Sequence, residues 1–278
     1  MTERHQRLPI LAGILVALIF GFSFTLTKSA LELLGPFHLL GLRFLFAGSL
    51  LTVLRMFRVI RIRYAGRRMT LLFFLALFQP VLYFLCETVG IQMTSASESG
   101  MMISLIPVVV AVLGVVFLKE MPGLAQWVFI LLSVAGVIFI TIMREGQAEG
   151  NFVGILILMG AVLSAGAFNI FSRKSSLRFK AIEITYFMMM TGLVVFNGIA
   201  LVQHALRGEL ALYFEPLKIP AVLFPILYLG ILSSVVAFFL LNFMLSKLEA
   251  SKSAVFGNLV TVVSIAAGIL ILGEAFHW

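Results

Sequence analysis

The chain has 278 residues, of which 62% are hydrophobic and only 12% are charged, and its mean hydropathy is +1.14. A soluble domain carries roughly 25% charged residues, so the composition excludes an ordinary water-soluble fold. The net charge of +8 does not indicate a nucleic-acid partner, because the basic residues lie in short connections between apolar segments, where they encode membrane orientation.

Apolar segments recur along the chain at about 20 residues each, the length that an α-helix needs to cross about 30 Å of hydrocarbon. Helices are expected because every backbone N–H and C=O group must be paired inside lipid. The sequence therefore predicts an all-α integral membrane protein, surrounded by lipid, with nine transmembrane helices. The windows fall at about residues 8–28, 36–56, 71–91, 97–118, 124–143, 152–172, 182–206, 220–245 and 253–272.

The connections between these windows divide the basic residues unequally. With the N-terminus on the inner side, 15 of the 20 Lys and Arg residues fall in inner connections, four fall in outer connections, and Arg43 lies within a span. Positively charged connections remain on the cytoplasmic side of a membrane. The sequence therefore predicts a multi-pass protein of the cell inner membrane with a cytoplasmic N-terminus.

The second half of the chain repeats features of the first half. An offset of 154 residues aligns Ala96 with Ala250 and Glu120 with Glu274, and an offset of 141 aligns the first predicted helix with the sixth. A match between two prolines at an offset of 145 is interpreted as accidental. The pattern indicates a gene duplication.

Each repeat is expected to be a five-helix unit. Residues 1–147 form the first repeat with helices one to five, and residues 148–278 form the second with helices six to nine. The chain stops four residues after Glu274, so the counterpart of the fifth helix is expected to be missing. Because five is an odd number, the second copy enters the membrane from the opposite side, which gives an inverted repeat, an architecture of secondary transporters.

Several short segments of the chain resemble the drug/metabolite transporter superfamily, specifically its EamA-type ten-helix transporters. These segments are residues 24–28, Arg43, residues 83–87, residues 95–97 followed by Pro107, and residues 118–120, 229–234, 249–251 and 272–274. The resemblance implies a secondary transporter, and many members of that group export amino acids, related metabolites or toxic compounds.

Ionisable residues inside the predicted spans are the first candidates for a site, because a charge in hydrocarbon costs at least about 2.5 kcal/mol. Glu87 lies one helical turn after Tyr83, and Arg43 enters from the outer end of helix two. We predict a polar cluster of Arg43, Glu87 and Glu98 in the outer half of a cavity. The alternative is that Arg43 and Glu87 form a structural ion pair that only holds adjacent helices together.

Neutral polar side chains complete the candidate site. They are Ser23, Thr27, Gln79, Ser164, Asn169 and Asn258. Such side chains also link transmembrane helices by hydrogen bonds, which is the alternative for each of them.

No cofactor or metal site is predicted, because the four histidines show no ligand spacing and Cys86 is the single cysteine. A membrane enzyme would need clustered His, Asp or Cys at one membrane face, and the sequence shows no such cluster. The hypothesis is a transporter of a small-molecule solute by alternating access, with Glu87 available for a coupling proton. A non-transporting scaffold or partner subunit and a sugar-phosphate or nucleotide-sugar carrier stay as alternatives, and a homodimer stays open as the oligomeric state.

Overall fold

The computed structural model describes residues 3–121 and 152–273, with scattered positions between residues 122 and 135. The described residues form twelve α-helices and no strand. The helices are α1 Glu3–Leu31, α2 Pro36–Met56, α3 Thr70–Ala76, α4 Tyr83–Met93, α5 Ala96–Ile103, α6 Ile106–Leu118, α7 Phe152–Ser175, α8 Ala181–Arg207, α9 Pro220–Leu227, α10 Phe238–Lys247, α11 Ala250–Ala254 and α12 Phe256–Leu272.

Four pairs of these helices, α3 with α4, α5 with α6, α9 with α10 and α11 with α12, follow one another as single broken spans. Eight spans in the described part of the chain are long and apolar enough to cross a membrane. They confirm the predicted all-α membrane class and correspond to eight of the nine predicted windows. Most of the predicted fifth span at 124–143 lies outside the described residues, and so does the end of the chain from residue 274.

Prolines lie close to two of the breaks. Gln79 adopts an extended conformation (φ −149°, ψ 113°) directly before Pro80, within a π-helical segment at Leu77–Leu82. Pro107 stands at the start of α6, just after the break between α5 and α6. Proline has no N–H group to donate to the preceding turn, so a helix bends or ends there. A second π-helical segment, Tyr228–Ala237, joins α9 to α10.

One end of the helix bundle collects the connections that are rich in basic residues. The hydroxyl of Tyr64 donates to the carbonyl oxygen of Glu183 at 2.6 Å, and Nη1 of Arg67 donates to the carbonyl oxygen of Arg178 at 3.0 Å. These bonds join the connection before α3 to the connection before α8. We call this end the basic face; the two connections lie at one end of the bundle, as the charge count predicted, and the side of the membrane stays a prediction.

The opposite end of the bundle holds the connection between α8 and α9. The hydroxyl of Tyr213 donates to Oδ1 of Asn197 at 2.8 Å, while Nδ2 of Asn197 donates to the carbonyl oxygen of Gly41 at 3.0 Å. Burial raises the pKa of Tyr213 to about 12, so the phenol, already protonated at neutral pH, stays a donor into the alkaline range. The connection is thereby fixed to both α2 and α8.

The packing of the helices is reciprocal between the two repeats. Helix α1 packs against α12 and α10, and its counterpart α7 packs against α6 and α4. Helix α2 packs against its own counterpart α8, and α5 packs against α12 while α11 packs against α6. This pattern is unchanged when the helices of the two repeats are exchanged, as expected for two copies of one unit.

Two close glycine contacts define the register of the repeat. A Cβ atom on Gly21 would lie 2.4 Å from Cβ of Val263, and one on Gly166 would lie 2.3 Å from Cγ1 of Val109. The two valines are equivalent at the offset of 154, and the two glycines are equivalent at 145. The packing therefore indicates an offset of 145 for α1 and α7, one helical turn longer than the 141 that the sequence suggested. The sequence supported an offset of 145 only through a proline match that is interpreted as accidental above. For α1 and α7, however, 145 is the offset at which equivalent residues make equivalent contacts.

Candidate functional site

Arg43 is buried inside the bundle, at 2% exposure, and makes contacts across the two repeats. Its Nε atom donates to Oγ of Ser234 and its Nη2 atom donates to Oγ of Ser233, both at 2.9 Å. The guanidinium carbon lies 4.2 Å from the centroid of the Phe84 ring. Two hydroxyl acceptors and an aromatic face thus compensate a charge that has been taken out of water.

Glu87 lies in α4 and is 4% exposed. The hydroxyl of Tyr83, one helical turn earlier, donates to Oε1 of Glu87 at 2.9 Å. The second oxygen, Oε2, is buried and has no hydrogen-bond partner in the described part of the chain. Buried polar atoms nearly always have a hydrogen-bond partner. Oε2 is an exception, and it can still accept a hydrogen bond inside the protein.

Arg43 and Tyr83 contact Phe84, and Tyr83 in turn bonds to Glu87, so two of the three residues of the predicted cluster are linked through these rings. The ring centroids of Tyr83 and Phe84 are 5.1 Å apart, and Arg43 stacks on Phe84. Arg43 and Glu87 interact electrostatically, but among the ion pairs of residues 3–121 and 152–273 they do not come within 4 Å of each other. A direct ion pair, the structural alternative from the sequence, is not formed in this structure.

Glu98 was predicted to join this cluster, and the structure gives it a different contact. Its Oε2 atom accepts from the backbone N–H of Ser95 at 2.9 Å, and Oγ of Ser95 accepts from the N–H of Glu98 at 3.0 Å. This reciprocal arrangement is a capping box at the start of α5. Neither bond reaches Arg43 or Glu87, because the local helix start already engages the carboxylate.

Three of the neutral candidates bond to their own helices. Ser23, Ser164 and Asn169 each donate to a carbonyl oxygen three or four residues earlier, at 2.7, 2.8 and 2.8 Å respectively. All three are buried. These donors are satisfied locally, so the bonds do not link helices in the way that the alternative interpretation required.

The other neutral candidates differ in their surroundings. Gln79 is buried at the extended break before α4, and Thr27 is buried in α1. Oδ1 of Asn258 is buried with no hydrogen-bond partner among the described residues. Asn258 therefore has an open acceptor in the second repeat, as Glu87 has in the first.

The sequence did not predict the partners of Arg43 as site residues. Ser233 and Ser234 were noted only as part of the family resemblance. A second buried polar contact centres on Asn242, whose Oδ1 accepts from Ser172 at 2.7 Å and whose Nδ2 donates to Thr185 at 3.0 Å. These bonds link α10 to α7 and α8, and the signal for them was a polar residue in an otherwise apolar run.

Eight apolar spans, two reciprocally packed repeats and a buried polar cluster between them define a multi-pass helical membrane protein of the inverted-repeat class. The model of the EamA-like transporter family matches residues 7–142 and 152–278. The chain therefore belongs to the EamA-like transporter family, as the sequence motifs indicated.

Curated relatives support this assignment, and a solved structure shares the fold. The chain is 38% identical over 277 residues to the "Uncharacterized transporter YcxC" of Bacillus subtilis (strain 168), covering 99% of this chain and 89% of that protein. It is 26% identical over 261 residues to an "Uncharacterized transporter" of Archaeoglobus fulgidus, covering 94% and 88%. A solved crystal structure with 17% identity superposes with a TM-score of 0.67, covering 96% of this chain and 88% of that one, and this likeness shows the fold alone.

Proposed function

We propose that this protein is a secondary transporter that exports a small metabolite, an amino-acid-like solute or a toxic compound by alternating access. The observation that carries the proposal is the open acceptor Oε2 of Glu87, which is buried inside the bundle of a transporter-family protein. The reciprocal packing of the two repeats supports the mechanism, because two near-equivalent halves can exchange conformations and so open opposite faces in turn.

In this proposal Glu87 binds the solute or the coupling proton. Arg43 is already held by two serine hydroxyls and by the face of Phe84, so its role is to offset the negative charge of Glu87 and to join the repeats. A protonated amine would supply the donor that Oε2 lacks, whereas a coupling proton would bind the carboxylate and neutralise its charge. Tyr83 orients the carboxyl group from the other side.

A sugar-phosphate or nucleotide-sugar carrier fits the cluster less well. An anionic solute of that kind needs several cationic groups along its path. The described spans place one fully buried cation, Arg43, in the cluster. Lys28, the other cationic candidate, donates to backbone carbonyl oxygens of Ile91 and Thr94.

The experiment tests Glu87 directly. The purified protein is screened for amino acids and organic cations that raise its melting temperature, and the best solute is then used for flux in proteoliposomes at several pH values. Glu87→Gln keeps the size of the side chain and removes its charge. We expect this variant to express and fold normally and to lose the pH dependence of transport.

The matched control is Glu32→Gln, which changes an exposed carboxylate just after α1. This variant should transport with the pH dependence of the unchanged protein. A normal pH profile for Glu87→Gln would refute the role of Glu87, and vesicles with no flux of any stabilising solute would favour the non-transporting scaffold.

A further inference from the structure

Glu120, from the first repeat, bonds to two parts of the second repeat at the basic face. Its Oε1 atom lies 3.4 Å from Nε of Arg173, near the end of α7, and its Oε2 atom accepts from the backbone N–H of Ala250, the first residue of α11, at 2.8 Å. Arg173 also donates from Nη1 to the carbonyl oxygen of Leu245 in α10 at 3.0 Å. One carboxylate thus joins the end of the fourth span to two helices of the other repeat, and Arg173 extends this link to a third.

These bonds are partly sheltered from water. The side chain of Glu120 is 14% exposed and that of Arg173 is 26% exposed. A charge-assisted bond in such surroundings is stronger than one between exposed side chains. Glu249, the residue directly before α11, makes no side-chain cap bond, and the carboxylate of Glu120 satisfies the N–H group of Ala250 at the start of that helix.

The internal symmetry separates the bonds of Glu120 from the bonds that hold each repeat together. Lys28 is equivalent to Arg173 at the offset of 145, and Ile91 is equivalent to Leu245 at the offset of 154. Nζ of Lys28 donates to the carbonyl oxygen of Ile91 at 3.0 Å, which repeats the bond from Arg173 to Leu245 at the opposite face. Both of these bonds stay within one repeat. The bonds of Glu120 cross between repeats and can break without disturbing either unit.

Two side-chain bonds at the opposite face have no counterpart at the basic face. Oγ1 of Thr261 donates to the carbonyl oxygen of Gly100 at 2.8 Å, and Oγ of Ser264 donates to that of Ala96 at 3.1 Å. These two bonds hold α12 directly against α5. At the offset of 154 the equivalent residues are Pro107 and Val110, whose side chains have no donor.

We propose that Glu120 is the latch that closes the solute path at the basic face. Its bonds to Arg173 and to the N–H of Ala250 hold the start of α11 against the end of α6. When they break, α11 separates and the path opens at the basic face, while the contact between α5 and α12 keeps the opposite face closed. This inference rests on the proposed transport function, because it assigns a role in the transport cycle to a group outside the buried cluster.

The test measures access to α11 from the basic face. Ser251 follows Ala250, is buried, and has a buried hydroxyl with no partner in the described part of the chain. Ser251→Cys is introduced into a Cys86→Ala background, and membrane vesicles that expose the basic face are treated with a membrane-impermeant maleimide. Labelling should be slow with Glu120 in place, and Glu120→Ala should accelerate it by about tenfold or more, because two charge-assisted bonds are lost.

Three further variants make the result specific. Glu120→Gln keeps an acceptor for the N–H group of Ala250 but removes the charge facing Arg173. Its labelling rate should be intermediate, and it replaces Glu120→Ala in the test if that variant does not fold. Glu249→Ala removes the neighbouring exposed carboxylate, which pairs with Lys252 at 3.0 Å, and should leave the rate unchanged. Lys28→Gln removes the equivalent bond at the opposite face and should also leave it unchanged.

Two results would overturn the latch. One is an unchanged labelling rate when both Glu120 variants fold. The other is an equal acceleration by Glu249→Ala, which would show general loosening of α11. Because labelling uses no solute, failure of this test is distinct from failure of the flux experiment on Glu87.

Discussion

The Nη2 atom of Arg43 lies 2.9 Å from the Oγ atom of Ser233, although the two residues are 190 positions apart in the chain. This bond, with the parallel one to Ser234, joins α2 of the first repeat to the π-helical segment of the second. The buried charge is thus compensated by the opposite repeat, so the stability of the whole bundle depends on the pairing of its two halves.

The first prediction concerns these two hydroxyls. Ser233→Ala combined with Ser234→Ala leaves a fully buried guanidinium without two of its acceptors, and each unsatisfied group costs about 1–3 kcal/mol. We expect a clear fall in the melting temperature of the purified protein in detergent. Ser246→Ala is the control, since that hydroxyl donates only to its own helix at Phe243. Equal melting temperatures for the double variant and the control would contradict the role of the serines.

The second prediction concerns Asn242, which is fully buried between three helices. Asn242→Leu leaves the hydroxyl of Ser172 without its partner, and interhelical bonds of this kind contribute about 0.6 kcal/mol on average and up to about 1.7 kcal/mol. The melting temperature should fall, and adding Ser172→Ala should restore part of the loss because the orphaned hydroxyl is removed. Strictly additive losses in the double variant would show that the two side chains are not coupled.

The third prediction concerns the equivalent glycines of the two repeats. Gly21→Ala and Gly166→Ala would place a methyl group against Val263 and Val109 at distances that real Cβ atoms do not adopt. Each variant should lose about 1–3 kcal/mol of stability, the usual cost of overpacking. Shortening the facing valine to Ala should recover much of that loss.

The matched control for the glycines is Gly198→Ala in α8, where nothing lies within 4 Å of a new Cβ atom. Alanine favours a helix over glycine by roughly 1 kcal/mol, so this variant should be neutral or more stable. A loss at Gly198 equal to the loss at Gly21 would show that the close contacts do not explain the effect.

The fourth prediction concerns the connection at the basic face before α3. Glu183 is 3% exposed, and it accepts from Nη1 of Arg67 at 3.0 Å and from the backbone N–H of Arg63 at 3.1 Å. Glu183→Ala should release this arginine-rich connection, and limited trypsin digestion of vesicles exposing the basic face should cut it severalfold faster. Glu215→Ala, which breaks the exposed pair with Lys218, should leave the digestion rate unchanged.

The fifth prediction concerns orientation. In a Cys86→Ala background, Arg61→Cys and Arg178→Cys should react with an impermeant thiol reagent on the same side, because Arg67 bonds to Arg178. Lys218→Cys should react on the other side. The excess of basic residues predicts that the first two positions are cytoplasmic, so intact cells should label only the third. Labelling of Arg61→Cys and Arg178→Cys from opposite sides would contradict the inverted repeat.

The sequence predicted the spans well because the cost of burying polar backbone and side-chain groups in lipid acts on each segment separately. It also selected Arg43, Tyr83 and Glu87 as candidates, since charged and phenolic groups in apolar runs are conspicuous, and the structure buries all three. It did not predict that Ser233 and Ser234 would bind Arg43, because local periodicity contains no information about a contact between residues about 190 positions apart. The direct ion pair of Arg43 with Glu87, which the sequence left open as an alternative, is not formed in the described part of the chain.

Two other differences have local causes. Glu98 was assigned to the cluster from its position at the start of a span, but that same position lets it form a capping box with Ser95. The offset of 141 for the first helices rested on a short run of identities, whereas the contacts of Gly21 and Gly166 indicate 145. Small residues at close helix contacts mark equivalent positions of the two repeats better than short identical runs, because close packing of two helices leaves room only for a small side chain.

The ionisable members of the buried cluster, Arg43, Tyr83 and Glu87, all come from one copy of the duplicated unit, and the other copy contributes neutral hydroxyls. The two copies therefore share the scaffold but differ in the chemistry of the side chains that they place in the cluster. Substitutions that change which cargo is accepted should accumulate in the copy with the ionisable residues, whereas those that alter the rate of switching between faces should occur in either.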